Sequence, residues 1–467
     1  MTAIAICLAA TPARAQKLGI QGTQFTIDGT PKFLTFITYF GAMGAPNVTA
    51  DLHEIRGLGF DGIRIWPNLD TGPQLMNGDG SLRTAELQHL LSILNLAKQE
   101  RLVVDVTFTY EHIPGMTPST ALVGIANATN VLRSYENLIF DIQNERNVRD
   151  RRYMSEDDVG RIFRALKAVD PSRIATASNA PDGASIDADF TSRLGLDVNA
   201  YHDDRFPNWY QLDELQSVVN ALRANGKPAY LQEPNTTFDT VFHYPANDRA
   251  EYFLQAIANA KMAGAAAWCF HTEEGVDFGN GGPPFFEDRL RSHPNVEWPF
   301  VNSLKARVVL RTADGHYLVA ESGGGSGMRA DRSASGPGSW EVFAVTALAG
   351  GPLISGDRIS AATADGNHYM LAVNGGGGPL RATSASVGAS ETFVIEKVGG
   401  GVIHHGDSVT LRVGDTSWYV SAEGGGGGAV NVNSGTRGSF ETFTILFVTP
   451  HSTDASTAKS VREVKVK

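Results

Sequence analysis

The chain has 467 residues, 42 % of them apolar and 19 % charged, which is enough nonpolar material for a large core and more than one domain. A formal net charge of −11 argues against a nucleic-acid binder and fits a neutral ligand. With two cysteines, Cys7 and Cys269, neither a disulfide framework nor a cysteine-based metal site is expected.

Residues 1–15 read as an export signal. An apolar run over 4–10 is followed by Ala13-Arg14-Ala15, a small-x-small pattern that places cleavage before Gln16. The first few residues lack the usual Lys or Arg. The expected location is secreted or periplasmic, with no membrane span after the signal. Cys269 is then the sole remaining thiol, in an apolar run that predicts a buried, inert side chain.

Residues 16–299 alternate short apolar runs with helical patterns. Strands are predicted from Phe33 (FLTFIT), Gly62 (GIRIW), Leu102 (LVVDVTF), Leu138 (LIFDIQ), Arg173 (RIATAS), Leu196 (LDVNAY), Pro228 (PAYLQ) and Gly264 (GAAAWCF). Helical patterns cover 84–99, 157–169, 213–224 and 249–262. Eight such units predict an α/β fold, a (β/α)8 TIM barrel. A doubly wound open sheet is the alternative, but no Gly-rich nucleotide loop follows the first strand.

The stretch 294–304 reads as a linker. Over 306–448 glycine becomes dense and a threefold repeat appears: Tyr317, Tyr369 and Tyr419 recur at intervals of 52 and 50, and Glu341, Glu391 and Glu441 at 50 and 50. Each copy runs strand, turn, Tyr, small-residue strand, Gly cluster and Glu-x-Phe strand. Three four-strand copies predict an all-β β-trefoil domain, with Phe343, Phe393 and Phe443 in its core. Residues 449–467 form a polar tail, expected to be disordered.

Glu145 and Glu233 close the fourth and seventh predicted strands, 88 residues apart. The C-terminal ends of barrel strands face the active site. Two carboxyls at one mouth, about 5–5.5 Å apart, can cleave a glycosidic bond with retention: one protonates the leaving oxygen, the other attacks the anomeric carbon. The acid must hold its proton, through burial or a neighbouring carboxylate. No His-x-x-x-His pair or clustered ligand spacing falls at strand ends, and His202 with Asp203 and Asp204 is only a weak candidate, so no metal is expected. The later glycine runs lack the lysine and helix of a phosphate loop, so no cofactor is expected either.

Asn144-Glu145 after the fourth strand, with a Glu after the seventh, resembles the clan A glycoside hydrolases, most closely the cellulase-like group near family 5, over about residues 20–290. The resemblance implies that Glu145 is the acid/base, that Glu233 is the nucleophile, and that Asn144 binds the sugar 2-hydroxyl. It also implies that Arg64 is aimed at the nucleophile and that Trp268 forms an aromatic platform beneath the sugar. Tyr201, His202, Trp66 and His271 complete the expected substrate contacts. Two departures stand out. The third strand, Asp105-Val106-Thr107-Phe108-Thr109-Tyr110, lacks the family's His, and the sixth reads Asn199-Ala200-Tyr201-His202 where His-x-Tyr is usual. Membership of a neighbouring clan A family, including ones acting on β-1,3-glucans, stays open on these residues.

The segments Leu310-Arg311-Thr312-Ala313-Asp314-Gly315-His316-Tyr317-Leu318 and Ser339-Trp340-Glu341-Val342-Phe343 resemble fascin-like trefoil repeats. Beside a catalytic domain, that resemblance implies carbohydrate binding or passive stabilisation. The expectation for the whole chain is a monomeric, exported retaining β-glycosidase acting on a polysaccharide such as a β-1,3- or β-1,4-glucan or a mannan. The alternative is a non-catalytic, lectin-like binder on a barrel scaffold.

Overall fold

The first ordered element is a small antiparallel sheet, β1 (Leu18–Gln21), β2 (Gln24–Ile27) and β3 (Thr30–Pro31). The computed structural model describes residues 16–448 except 70–71, 111, 238–248, 276–277 and 334–336. The expected export signal and the polar tail lie outside the described residues.

Eight parallel strands follow, alternating with helices. The first half runs β4 (Leu34–Thr38), α1 (Val48–Leu58), β5 (Gly62–Ile65), α2 (Thr84–Gln99), β6 (Val103–Thr107), α3 (Pro118–Val131), β7 (Leu138–Asp141) and α4 (Glu156–Val169). The second half runs β8 (Ile174–Thr176), α5 (Ala184–Leu194), β9 (Asn199–His202), α6 (Leu212–Arg223), β10 (Ala229–Glu233), α7 (Ala250–Ala263) and β11 (Ala267–Phe270). β4 pairs with both β5 and β11, and the chain of pairings runs from β8 round to β9. At the β8–β9 seam the Asp197 N–H donates to the Ala175 carbonyl at 3.0 Å, and the Ala175 N–H donates to the Asp197 carboxylate at 2.9 Å. The eight-stranded near-barrel predicted from the apolar runs is therefore present.

Local sequence sets the helix ends. Thr117 and Ser155 cap α3 and α4, each side chain accepting from a backbone N–H three residues on. Gly59 and Gly264 end α1 and α7 at φ of 105° and 89°, a left-handed turn that a side chain would strain.

Strand parity divides the barrel into two cores. Phe36, Val103, Ile139, Ile174, Val198, Tyr230, Ala267 and Cys269 form one buried cluster, the lower interior. Ile63, Val104, Phe140, Tyr201, Leu231, Trp268 and Phe270 belong to the other, facing the helices. Above the interior apolar layer the inward positions turn polar: Arg64, Asp105, Asp141, His202 and Gln232 are all buried. Cys269 is a buried free thiol, and burial raises it far above the ordinary thiol range.

The segment 294–304 is not a linker. After α8 (Phe286–Arg291) it forms α9 (Glu297–Ser303), with Phe300 and Val301 fully buried. Phe300 lies 4.3 Å from Phe270 and 5.6 Å from Trp268, centroid to centroid. Pro299 sits in the first turn of the helix, where its missing N–H costs nothing.

The all-β region contains twelve strands in three sets of four: β12 (Ala306–Arg311), β13 (Tyr317–Ala320), β14 (Ser326–Arg332) and β15 (Phe343–Ala347); β16 (Arg358–Thr363), β17 (Tyr369–Ala372), β18 (Gly378–Ser384) and β19 (Phe393–Lys397); β20 (Ser408–Val413), β21 (Tyr419–Ala422), β22 (Val430–Ser434) and β23 (Phe443–Phe447). The first and last strands of the sets pair in a closed ring, β12-β15-β16-β19-β20-β23 and back to β12. The middle strands form three hairpins joined through β14, β18 and β22. Phe343, Phe393 and Phe443 are buried in one cluster inside. The glutamate of each Glu-x-Phe is buried too, and in two copies it accepts from a backbone N–H three residues earlier, at Gly338 (2.8 Å) and Gly388 (2.9 Å).

Barrel and all-β region meet through a buried ion pair. Lys261 Nζ on α7 donates to Asp357 Oδ2 and to the Pro352 carbonyl, both at 2.8 Å. Among the described residues no helix is long and apolar enough to cross a membrane.

Candidate active site

Glu145 and Glu233 converge at the C-terminal mouth of the barrel. One carboxylate oxygen of each, together with a His202 ring nitrogen, lie within 4.8 Å of one another. Glu233 is the last residue of β10, turned inward by a register irregularity between Leu231 and Glu233. Glu145 follows β7 in the left-handed region at φ 49°, an uncommon backbone state for a side-chain-bearing residue. The Ser178 hydroxyl accepts from its N–H at 3.0 Å.

Arg64 organises the floor. Its guanidinium is fully buried and donates to Glu233 Oε1 at 2.5 Å, Asn144 Oδ1 at 2.7 Å, Thr107 Oγ1 at 2.9 Å and Asp141 Oδ2 at 3.2 Å. Asn144 thereby has its oxygen engaged, which orients its NH2 as the group presented elsewhere. Gln232 Nε2 donates to Asp105 Oδ2 at 2.9 Å and Asp141 Oδ2 at 3.1 Å. Burial pushes Asp105 up to about 6 against the pull of Arg64, and it raises Asp141 as well. The floor therefore contains one fixed cation and two acids that resist ionisation together.

His202 bridges the two glutamates. Its Nδ1 is 3.3 Å from Glu145 Oε1 and 3.4 Å from Glu233 Oε2, and its Nε2 is 3.1 Å from Gln232 Oε1. Because the Gln232 NH2 already serves the two aspartates, Gln232 Oε1 accepts from His202 Nε2–H, which leaves Nδ1 facing the carboxylates. Burial lowers the His202 imidazole, but Glu233 and Glu145 outweigh it and raise it above its ordinary value.

Burial works to raise the Glu233 carboxyl. His202, His271, Arg64 and Arg205 outweigh it and hold the group far below the ordinary carboxylate range. His271 Nδ1 is 3.8 Å from Glu233 Oε2, yet burial holds His271 down at about 4. His271 is therefore neutral at pH 7, and the fixed positive charges facing Glu233 there are Arg64 and Arg205. Arg205 Nη2 lies 3.8 Å from Glu233 Oε2. Arg152, on the loop after β7, contacts Glu145 Oε2 and also pairs with Asp150 at 2.8 Å. Glu145, His202 and Glu233 have ligand types that could hold a metal, but Arg64, Arg152 and Arg205 surround them with positive charge that opposes a cation.

The structure thus brings Asn144, Glu145, Glu233, Arg64, His202 and His271 together. Three expected contacts are corrected. Trp268 and Tyr201 are buried at 0 % and 3 % exposure in the barrel–helix layer, because Cys269/His271 and His202 take the inward parity of their strands. Neither touches the mouth. Trp66 does lie over Arg64, 4.4 Å from its guanidinium, but Phe40 stacks on it at 3.9 Å and 16°, leaving Trp66 2 % exposed. Phe40, half-buried and 5.5 Å edge-on from His271, is the aromatic that covers Trp66 at the mouth. Phe40, Arg152, Arg205 and Gln232 were missed. Gln232 alone had a local signal, as a polar residue beside Glu233 at the end of an apolar strand.

No known family pattern matches the sequence, and no curated protein matches it. Among solved structures, one titled a glycoside hydrolase is 12 % identical, with 93 % of this chain and 96 % of that chain covered and a TM-score of 0.49. A glycoside hydrolase family 5 protein from Bacteroides vulgatus is 12 % identical, with 93 % and 94 % covered and a TM-score of 0.49. A β-mannanase from Thermomonospora fusca is 13 % identical, with 62 % and 97 % covered and a TM-score of 0.42. Likeness at this level assigns neither family nor substrate, and the functional reading rests on the site's own geometry.

Proposed function

We propose that the chain is a retaining β-glycoside hydrolase acting on a polysaccharide, a β-glucan or a mannan. The observation that carries this reading is the approach of a Glu145 oxygen to a Glu233 oxygen within 4.8 Å. That close approach favours the short carboxyl separation of a retaining enzyme, about 5–5.5 Å, over the about 6.5–9.5 Å of an inverting one.

Glu233, held ionised, attacks the anomeric carbon as the glycosidic bond breaks, and Glu145 gives its proton to the departing oxygen. Water then attacks the glycosyl–Glu233 ester while Glu145 takes the water's proton back. The Asn144 NH2, oriented by Arg64, bonds the sugar 2-hydroxyl. Arg152 withdraws from Glu145 before the acid can carry a proton, and its partly exposed position on a loop allows that. The all-β region reads as a β-trefoil of fascin-like repeats that binds glycan. Exposed Trp340, Trp418 and Phe440 beside its glycine turns support this role. Residues 1–15 would direct export.

The test is turnover of defined β-glucan and mannan oligosaccharides by wild type and Glu233→Gln. A drop on the order of 10⁴-fold, with a 2-fluoroglycoside adduct mapped to Glu233 by peptide mass, supports the reading. Equal turnover by the variant, or no turnover of any glycan by wild type, refutes it; the second result points to the lectin-like binder.

A further inference from the structure

We propose that Glu274, His293 and Glu297 form a binding site for a divalent transition metal, zinc foremost, which ties the loop after β11 to α9. One ligand atom from each lies within 4.8 Å of the others, and His293 Nε2 is 2.8 Å from Glu274 Oε1. Glu274 follows β11, His293 lies in the turn between α8 and α9, and Glu297 opens α9. Two carboxylates and an imidazole are a zinc-type donor set, whereas calcium or magnesium would favour oxygen alone. Zinc–ligand bonds of about 2.0–2.2 Å need donor separations of roughly 3.3–3.5 Å. Small side-chain movements reach that spacing, and water completes the tetrahedron.

A second observation points to a cation as the partner of Glu297. Glu297 is 0 % exposed. The Thr272 and Thr237 hydroxyls both donate to its Oε1, at 2.5 and 2.7 Å, while its Oε2 is buried with no hydrogen-bond partner among the described residues. No Lys or Arg pairs with Glu297 among those residues. A buried carboxylate without a counter-charge is strongly disfavoured, because burial strips the water that would stabilise the charge. A metal there would meet Glu297 Oε2, Glu274 and His293 at once. His293 is 35 % exposed and offers an entry path. The ion would be structural, held in part by Glu274, three residues beyond His271.

Zinc binding to the full, chelator-dialysed chain is measured by titration calorimetry and by thermal unfolding, neither of which depends on the hydrolase reading. The expected result is one zinc per chain and a rise in Tm on zinc addition. His293→Ala, a half-exposed substitution that should leave the fold intact, weakens binding by at least about tenfold and removes the Tm rise. Glu297→Gln does the same. His202→Ala, at the mouth, leaves binding unchanged. Absence of binding to wild type overturns the proposal. So does binding that survives His293→Ala, or binding lost only in His202→Ala, which would place the ion between Glu145 and Glu233.

Discussion

Arg64 and Glu233, 169 positions apart in the chain, meet at 2.5 Å between Nη1 and Oε1 on the barrel axis, both almost fully buried. Arg64 is also the cation nearest Asp141 (3.2 Å) and Asp105 (3.6 Å). Arg64→Met would strand three buried acids, at a cost of about 3–5 kcal/mol. Asp105→Asn in the Arg64→Met background should recover part of that. Urea unfolding of the single and double variants checks both, and additive losses would show that the two groups do not interact.

Phe40 and Trp268 should respond in opposite ways. Trp268 is fully buried between Phe270 and Phe300, so Trp268→Ala should cost about 3–5 kcal/mol of stability and leave KM unchanged in the folded fraction. Phe40→Ala, at the mouth, should lose about 0.5–1.5 kcal/mol of stacking and raise KM. Steady-state kinetics beside thermal melts separates the two, and a KM effect confined to Trp268→Ala would reverse the assignment.

Asp203 supplies a pH signature. Burial pushes it up to about 7, above its ordinary carboxylate value. An acid raised on folding keeps its proton where the unfolded chain has lost its own. It therefore lowers stability progressively as pH rises from the unfolded value near 4 to the folded value near 7, and adds nothing further above that. Asp203→Asn should gain Tm relative to wild type between pH 4 and 7, and the gap should then level off. A gap independent of pH would exclude burial of this charge as the cause.

Lys261 and Asp357 join the barrel to the all-β region at 2.8 Å, each side chain 7 % exposed. Lys261→Met alone leaves Asp357 buried and unpaired and should cost about 3–5 kcal/mol, whereas Lys261→Met with Asp357→Leu should restore most of it. Differential scanning calorimetry should show a single transition split into two only in the single variant.

Periodicity and strand-end position made much of this legible in sequence. Thr84–Gln99 was predicted with its observed bounds because its apolar spacing and flanks agree. The repeat in Tyr317, Tyr369 and Tyr419 gave the twelve strands of the all-β region. The segment 294–304 reads as a linker because the packing that makes α9 a helix, Phe300 against Phe253 and Phe270, comes from elsewhere in the chain.

By itself the sequence determined the order of elements, the strand ends bearing Glu145 and Glu233, and Asn144 and Arg64 near them, since these follow from local pattern. Only the tertiary structure decided which way each strand faces. Barrel strands are buried on both sides, so composition does not mark the inner face, and a one-residue change of parity exchanges Trp268 for Cys269 and Tyr201 for His202. The meeting of Arg64 and Arg205 with Glu233, Phe40 over Trp66, and the gathering of Glu274, His293 and Glu297 likewise arise from tertiary packing, which no local pattern in the chain announces.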